Sequence, residues 1–242
     1  MKFFLAPMQG LTGYIVRNAF HHHFDYIDKY YTPFIPAAKR MNAKIKRDID
    51  PVNNDGITLI PQAMSIVADE VIDLHRQLVP YGYDEINVNL GCPSGTVVSK
   101  KRGSGILAYP DMLDSFLDEL YTKADFPVSI KTRVGFNDYE LWPKPIEIYS
   151  KYPISELTVH PRVQKDFYKN TPRMDDFALA VQKINPDKTI LCYNGDITNA
   201  NSFKALTDRF PDIDEIMIGR GLFANPALIA ELKGISMDKA EL

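Results

Sequence analysis

The sequence predicts a protein of the α/β class that folds as a (β/α)8 TIM barrel, with residues 1–242 forming a single domain. Eight short segments rich in β-branched and aromatic residues recur at intervals of roughly 25 to 40 residues, as barrel strands would. Segments with apolar residues at three- and four-residue spacing lie between them and predict helices. Eight strand–helix units in 242 residues fit a closed barrel better than an open doubly wound sheet.

Most of the predicted strands end in Gly, Pro, Asn or another polar residue, which is typical of parallel strands buried on both faces. The eight strands are predicted at Lys2–Pro7, Tyr26–Tyr31, Ile57–Ala63, Glu85–Leu90, Pro127–Arg133, Glu156–Pro161, Thr189–Asp196 and Glu215–Arg220. Helices are predicted to begin at Ser65, Asp111, Asp175 and Thr198, because these residue types favour helix N-termini. The segment from Ala227 is expected to form the last helix and a short tail.

The composition is that of an ordinary globular protein, with 45% hydrophobic and 24% charged residues. The net charge of −3 argues against a globally basic nucleic-acid-binding protein but allows local basic patches. No apolar run approaches the ~18 residues that a membrane span needs, and the apolar N-terminus is too short for a signal-peptide core. We therefore expect a cytoplasmic protein without a membrane partner.

The cysteines and histidines do not predict a metal site. Cys92 and Cys192 are too few for a zinc ribbon, and without a secretory signal they are expected to be free thiols. His21, His22 and His23 are consecutive, and adjacent helical residues point about 100° apart, so they cannot converge on one ion without help. We expect these three histidines to mark an exposed helix end.

Unusual polar residues occupy the ends of seven of the eight predicted strands. They are Gln9, Gln62, Asn89, Cys92, Lys131, Arg133, His160, Arg162, Asn194, Asp196 and Arg220. A lone lysine or histidine in a strand could be a paired core residue, but burying so many unpaired polar groups is costly. Because barrel enzymes place their chemistry at the C-terminal ends of the strands, one shared site is the economical explanation.

Two glycine-containing loops indicate a phosphorylated ligand. Barrels often hold a phosphate at the loops after strands seven and eight, on backbone N–H groups. Here these loops are YNGD, with Gly195, and IGRGLFANP, with Gly219 and with Arg220 as a counter-charge.

Seven short sequence blocks occur in a recognisable order between Leu5 and about Pro226. They read LAPMQGLTGYIVRNAF, QAMS, NVNLGCPSGTVVSKKRGSG, SIKTRVG, TVHPRVQKDFY, YNGDI and IGRGLFANP. Together they resemble the tRNA-dihydrouridine synthase family, and the most specific block is Asn-x-Gly-Cys-Pro with the basic loop that follows it, Asn89–Ser104. The chain departs from the family pattern at Gln9, where Glu or Ala is usual, and at Pro161, where Gly is usual.

The resemblance implies an FMN-binding barrel that reduces selected uridines of tRNA with NADPH. The residues that it assigns to FMN are Pro7, Met8, Gln9, Gln62, Lys131, His160, Asn194, Gly195, Asp196, Gly219 and Arg220. The residues that we assign to the substrate are Asn89, Lys100, Lys101, Arg102, Arg133 and Arg162. Cys92 would be the general acid that protonates C5 of the uracil after hydride reaches C6.

The protonation state of Cys92 stays open at this point. A free cysteine has a pKa near 8.5 and is mostly a thiol at neutral pH, so it can donate a proton. The neighbouring Lys100–Arg102 could instead lower this pKa and favour the thiolate. The proton-donor role requires these charges to face the RNA backbone rather than the sulfur.

Basic side chains at the rim of the barrel are the expected contacts for tRNA phosphates. Besides Lys100–Arg102, the candidates are Lys39, Arg40, Lys44, Lys46 and Arg47, for which a solvated helix face is the alternative. Family members usually continue into a C-terminal helical domain, which we expect to be absent from this chain ending at Leu242. A monomer is expected. The alternative function is an FMN-dependent barrel oxidoreductase acting on a free pyrimidine or another small molecule.

Overall fold

A computed structural model describes residues 1–24, 26–37 and 40–235, and its strands and helices alternate along the chain. The strands are β1 (Lys2–Leu5), β2 (Lys29–Tyr31), β3 (Ile35–Pro36), β4 (Leu59–Ile60), β5 (Gln62–Met64), β6 (Ile86–Leu90), β7 (Val128–Gly135), β8 (Glu156–Val163), β9 (Ile190–Tyr193) and β10 (Glu215–Ile218). The α-helices are α1 (Tyr14–His23), α2 (Ala43–Ile49), α3 (Ala68–Leu78), α4 (Gly95–Val98), α5 (Pro110–Lys123), α6 (Pro143–Tyr149), α7 (Met174–Lys183), α8 (Ala200–Arg209), α9 (Arg220–Ala224) and α10 (Leu228–Leu232).

The strands form one parallel sheet that closes into a barrel. Hydrogen-bonded neighbours follow the order β3-β5-β6-β7-β8-β9-β10-β1-β2-β4. Its two ends meet because only Pro61 separates β4 from β5, so Leu59–Met64 pairs with β2 on one side and with β6 on the other. Pro61 has no N–H to donate, but its carbonyl accepts a hydrogen bond from the Asn87 N–H at 2.9 Å. The predicted (β/α)8 barrel is therefore confirmed.

Each predicted strand overlaps an observed one, and the third overlaps both β4 and β5, while β7 and β8 each continue two residues beyond their predicted ends. The short strand β3 was not predicted, because two residues are too few to show a period. It pairs in parallel with β5, with Ile35 opposite Ala63.

Two predicted helix caps are wrong, one by two residues and the other by one. Helix α3 begins at Ala68 rather than at a Ser65 cap, because the Ser65 Oγ accepts the Val67 N–H at 3.0 Å in a turn that precedes the helix. Helix α8 is capped by Asn199 rather than Thr198, since the Asn199 Oδ1 accepts the Ser202 N–H at 2.9 Å. A capping side chain must accept the N–H two or three residues ahead. Where two neighbouring residues are both of a capping type, the backbone geometry decides which of them does so.

The predictions for the histidine run and for the C-terminal segment have different outcomes. The histidine run lies at the end of α1, with His22 and His23 exposed, so the predicted exposed helix end is confirmed. The last predicted helix is α10, while the tail from residue 236 lies outside the described residues. No described helix has the length and apolar character that a bilayer crossing requires.

A charged cluster fills part of the barrel interior. Glu156 of β8 is 2% exposed and accepts hydrogen bonds from the Lys29 Nζ at 2.7 Å, the Tyr31 hydroxyl at 2.8 Å and the Thr158 Oγ1 at 2.8 Å. Because β2 and β8 are not neighbours in the sheet, these bonds cross the barrel and tie its opposite walls together. The free thiol of Cys192 is buried nearby, against Tyr31.

Candidate active site

A cavity of about 820 Å³ opens at the C-terminal ends of the barrel strands. All residues assigned to the cofactor line it, together with the predicted general acid Cys92 and two of the residues assigned to the substrate, Asn89 and Arg133. The cofactor residues are Pro7, Met8, Gln9, Gln62, Lys131, His160, Asn194, Gly195, Asp196, Gly219 and Arg220. A parallel barrel brings these residues together because the carboxyl ends of all its strands face the same side.

Three buried amides form a connected row beside the cavity. The Gln62 Nε2 donates to the Asn87 Oδ1 at 2.8 Å, and the Asn89 Nδ2 donates to the Gln62 Oε1 at 2.7 Å. The Asn87 Nδ2 donates in turn to the Ser129 Oγ at 3.0 Å. Because every amide is held by the next one, the donor and acceptor sides of Gln62 and Asn89 are fixed before any ligand binds.

The backbone around Cys92 is held from two sides. The Asn89 Oδ1 accepts the N–H groups of Gly91 at 3.1 Å and Cys92 at 2.8 Å. The Cys92 carbonyl accepts both the N–H and the Oγ hydroxyl of Ser104, at 3.1 and 2.8 Å. The glycine-rich end of the basic loop therefore folds back onto Cys92 and positions it at the cavity wall.

Gly103 is the point where this loop contacts Cys92 most closely. A Cβ at Gly103 would lie 2.7 Å from the Cys92 carbonyl oxygen and 2.9 Å from the Val97 Cγ1, at a φ of +55°. We expect Gly103→Ala to shift the Cys92 backbone, to lower the free energy of unfolding by about 1–3 kcal/mol and to change the rate at which a thiol reagent modifies Cys92. Urea denaturation and thiol-modification kinetics would measure both effects.

Gly82→Ala is the matched control for this prediction. Gly82 also has a positive φ, of +87°, but a Cβ there would meet nothing within 4 Å. The Gly82 variant should lose stability through backbone strain alone and keep the modification rate of Cys92. Equal losses in the two variants, with unchanged Cys92 modification in both, would contradict the positioning role of Gly103.

Burial raises the pKa of the Cys92 thiol, although Arg133 and Lys131 act to lower it. The basic residues adjacent in sequence are directed elsewhere: Arg102 forms an ion pair with Glu70 at 3.2 Å, and the Lys101 Nζ lies 4.4 Å from the centre of the Tyr109 ring. The alternative that the sequence left open is thus decided in favour of the thiol at neutral pH.

The residues Lys100–Arg102, which we assigned to the substrate, do not line the cavity. Lys100 and Lys101 are exposed, and Arg102 is half-buried against α3. Of the other predicted basic group, Arg40, Lys44, Lys46 and Arg47 are exposed, the last three on α2, and Lys39 lies outside the described residues.

Arg133 is buried at 2% exposure, just where the register between β7 and β8 shifts. Its guanidinium donates to the carbonyls of Gly91 at 3.0 Å, Val163 at 3.0 Å and Phe167 at 2.7 Å. Arg133 therefore joins the loops after β6 and β8, and its charge acts on the cavity from the wall.

The side chains of Lys131, which is half-buried, and His160, which is buried, lie close to the guanidinium of Arg133. The Lys131 Nζ donates to the Asn194 Oδ1 at 2.5 Å. Burial, with a smaller effect of Arg133, lowers the pKa of Lys131 to about 7. Burial, together with Arg133, Lys131 and Arg162, lowers the pKa of His160 well below its ordinary value, so His160 is neutral.

Lys131→Met should reveal this lowered pKa as a pH-dependent change in stability. Between about pH 7 and about pH 10.5 the unfolded chain holds a proton that native Lys131 releases, so wild-type stability rises with pH there. The variant lacks this contribution. We expect it to be more stable than the wild type at about pH 7 and the difference to shrink towards about pH 10.5.

Urea denaturation at several pH values in this window measures that difference. Lys204→Met is the control, because Lys204 is an exposed residue of α8 paired with Asp208. The pH dependence measured for Lys204→Met is the baseline for the loss of an exposed, ion-paired lysine. A Lys131→Met difference that follows this baseline would show that native Lys131 does not have a lowered pKa.

Arg162 lies beneath the cavity surface rather than in its lining. It is 1% exposed and binds both carboxylate oxygens of Asp196, at 3.0 and 2.5 Å. Asp196 itself lines the cavity and also accepts the Arg220 Nη2 at 2.7 Å. Arg162 was assigned to the substrate because it follows the strand end, but sequence alone could not show which way its side chain turns.

Three aromatic residues of the cavity wall, Phe34, Phe167 and Tyr168, were not singled out from the sequence. Tyr168 is 49% exposed, and the guanidinium of Arg220 lies 4.8 Å from the centre of its ring. Phe167 has a φ of +50°, which is unusual for a bulky side chain. The adjacent aromatics in QKDFY were a signal for an exposed aromatic surface, whereas the backbone angle leaves no trace in the sequence.

Within residues 1–24, 26–37 and 40–235, no three His, Cys, Asp or Glu side chains are grouped as metal ligands. The closed parallel barrel, with a thiol, cationic side chains and ordered amides around one C-terminal cavity, defines a TIM-barrel enzyme. The sequence profile of the dihydrouridine synthase (Dus) family matches residues 4–241. The chain belongs to this family, which confirms the predicted family and the predicted class of oxidoreductase.

Two relatives illustrate the similarity. A probable tRNA-dihydrouridine synthase from Staphylococcus aureus (strain COL) is 27% identical over 237 residues, which cover 93% of this chain and 69% of the relative. The tRNA-dihydrouridine synthase B of Pasteurella multocida (strain Pm70) is 27% identical over 243 residues, with coverages of 97% and 69%.

Two solved structures share the fold at low sequence identity. Morphinone reductase superimposes with a TM-score of 0.62 at 11% identity, covering 99% of this chain and 88% of its own. The 3-hexulose-6-phosphate synthase of Salmonella typhimurium gives a TM-score of 0.58 at 14% identity, with coverages of 97% and 96%. These likenesses support the barrel fold alone.

Proposed function

We propose that this chain is an FMN-dependent tRNA-dihydrouridine synthase, which reduces the C5–C6 double bond of uridines in tRNA with NADPH as the reductant. The observation that carries the proposal is Cys92, whose backbone is held by Asn89 and Ser104 and whose thiol is kept protonated by burial. A positioned thiol at the wall of a cavity is suited to donate one proton to a carbon of a bound ring.

The cavity residues fit FMN by their charge. The described lining of the cavity contains three cationic side chains, Lys131, Arg133 and Arg220, and one carboxylate, Asp196. Arg162 and Arg220 already neutralise that carboxylate. The lowered pKa of Lys131 reports the cost of placing its ammonium there, and an anionic ligand would restore the charged form. A phosphate and an electron-rich ring supply such anionic character. Pro7 and Met8 contribute apolar lining on which a flat ring could rest.

Each side chain then has a defined task. Bound FMN would supply the hydride that reaches C6 of the uracil. Cys92 would donate its proton to C5, and Arg133 and Lys131 would stabilise the resulting thiolate, as their effect on the thiol pKa indicates. Gln62 and Asn89 would fix the orientation of the rings through their ordered amides. Asn194, Gly195 and Gly219 would hold the phosphate side.

The contacts that we propose for tRNA are exposed basic side chains. A uridine must leave its stack to enter the cavity, and the exposed rim then meets neighbouring nucleotides. We propose that exposed Lys100 and the basic residues of α2 contact phosphates, which holds RNA without sequence recognition.

The test begins with the absorption spectrum of the purified protein, before and after addition of FMN. A flavin band is expected, and a colourless protein that rejects added FMN would overturn the proposal. Dihydrouridine is then measured in tRNA after incubation with protein and either NADPH or NADH. Reduction of free uracil or orotate with tRNA left unmodified would instead support the alternative, a barrel oxidoreductase that acts on a free pyrimidine.

A further inference from the structure

The contact between Arg162 and His160 determines which nitrogen of His160 carries the proton. The Arg162 Nη1 lies 3.0 Å from the His160 Nε2. A guanidinium has only donors and stays charged in proteins, so Arg162 donates and Nε2 accepts. A neutral imidazole that accepts at Nε2 must carry its proton on Nδ1.

The surroundings of the pair exclude a doubly protonated ring. His160 is 7% exposed and Arg162 is 1% exposed, so neither charge is screened by water. Lys131, Arg133 and Arg220 add further positive charge around the ring. An imidazolium would place its Nε2–H against the guanidinium of Arg162, with like charges in contact.

Arg162 has no freedom to turn away from His160. Its Nη1 and Nη2 bind the two carboxylate oxygens of Asp196, and its Nε donates to the Asn170 carbonyl at 2.5 Å. The planar guanidinium fork is therefore locked by the loop after β9, and the Nη1–H that reaches His160 is held in place. At metal sites, a hydrogen bond to one ring nitrogen fixes the histidine tautomer in the same way.

We propose that Arg162 is a positioning residue that holds His160 as the neutral Nδ1–H tautomer, so that the His160 ring presents a hydrogen-bond donor to the cavity. The ligand that uses this donor is, under the function proposed above, an acceptor atom of the flavin ring. Asp196 extends this network to the start of α9, because it accepts hydrogen bonds from both Arg162 and Arg220.

The tautomer is measured by ¹⁵N NMR of histidine-labelled protein without FMN, so the measurement does not depend on flavin binding. The chain has five histidines, and a His160→Gln spectrum identifies the His160 signals. We expect the wild type to show a protonated Nδ1 and an unprotonated Nε2 across the neutral pH range. A protonated Nε2 would overturn the proposal, and this result needs no variant.

The Arg162→Gln variant then tests whether Arg162 causes the tautomer preference of His160. Its amide can donate or accept, so the tautomer preference should be lost and Nε2–H should appear. Arg220→Gln is the control, since Arg220 binds Asp196 but not His160, and it should keep the Nδ1–H form. An unchanged Nδ1–H signature in folded Arg162→Gln would overturn the role of Arg162.

The affinity for FMN provides the second readout. Loss of one oriented donor should weaken FMN binding about tenfold in Arg162→Gln, as measured by fluorescence titration. Wild-type affinity in a folded Arg162→Gln variant would contradict the donor role. A wild-type protein that binds no FMN would instead refute the proposed function and leave the tautomer measurement standing.

Discussion

Replacing Cys92 with alanine is expected to lower uridine reduction in tRNA by roughly 10²–10⁴-fold, the range that a positioned general acid contributes. The physical reason is that burial keeps the thiol protonated, so that Cys92 can act as the proton source that we propose at the wall of the cavity. FMN binding and NADPH oxidation should persist, because the amides and cations assigned to the cofactor are untouched. Single-turnover formation of dihydrouridine, measured beside flavin reoxidation, separates the two steps.

Cys192→Ala is the matched control for loss of a thiol. Cys192 is buried in the barrel interior against Tyr31 and does not line the cavity. Its replacement should leave uridine reduction per folded molecule close to that of the wild type. Equal activity of Cys92→Ala and the wild type would remove Cys92 from the mechanism, whereas equal loss in both variants would indicate a folding effect.

Replacing Glu156 with alanine is expected to lower the free energy of unfolding by about 3–5 kcal/mol, as breaking a buried ion pair does. Lys29 would be left as a largely buried charge without its 2.7 Å partner, and the Tyr31 hydroxyl would lose its acceptor. These bonds link opposite walls of the barrel, so their loss affects the whole cooperative unit. Urea denaturation followed by circular dichroism measures the effect.

Glu119→Ala is the control for loss of an acidic partner at the surface. Glu119 pairs with Lys123 along α5, and both side chains are largely exposed. Ion pairs between exposed residues of a helix contribute little to the free energy of unfolding, so the stability of this variant should stay near that of the wild type. A Glu156 variant as stable as the Glu119 variant would show that the buried cluster does not tie the barrel walls together.

The barrel could be predicted because its signals are local and periodic. Alternation of β-branched strands with amphipathic helices appears directly in the chain, and each of the eight predicted strands overlaps an observed one. Features without a local period were missed: the two-residue strand β3, the cap at Asn199, and the left-handed backbone at Phe167. The strand β3 depends on its pairing with β5, whereas the cap and the backbone angle depend on local geometry that residue type alone does not decide.

The lining of the cavity could also be predicted in large part. Residues that end parallel strands share one face of a barrel, and for this reason Gln62, Lys131, His160 and Asn194 meet around one cavity. Arg162 occupies an equivalent strand end but turns beneath the surface to Asp196. The position of a residue in its strand predicts on which side of the barrel it lies. The direction of its side chain depends on the residues with which it forms hydrogen bonds or ion pairs.

The sequence by itself determined the fold, the family and most of the polar residues that surround the cavity, because strand order and strand ends are properties of the chain. Only the tertiary structure decided the chemistry of those residues. Lys100–Arg102 are close to Cys92 in sequence, yet burial of the thiol outweighs nearby positive charge and keeps it protonated. A pKa depends on solvent access and on charges brought in from other strands, and both arise only when the barrel closes.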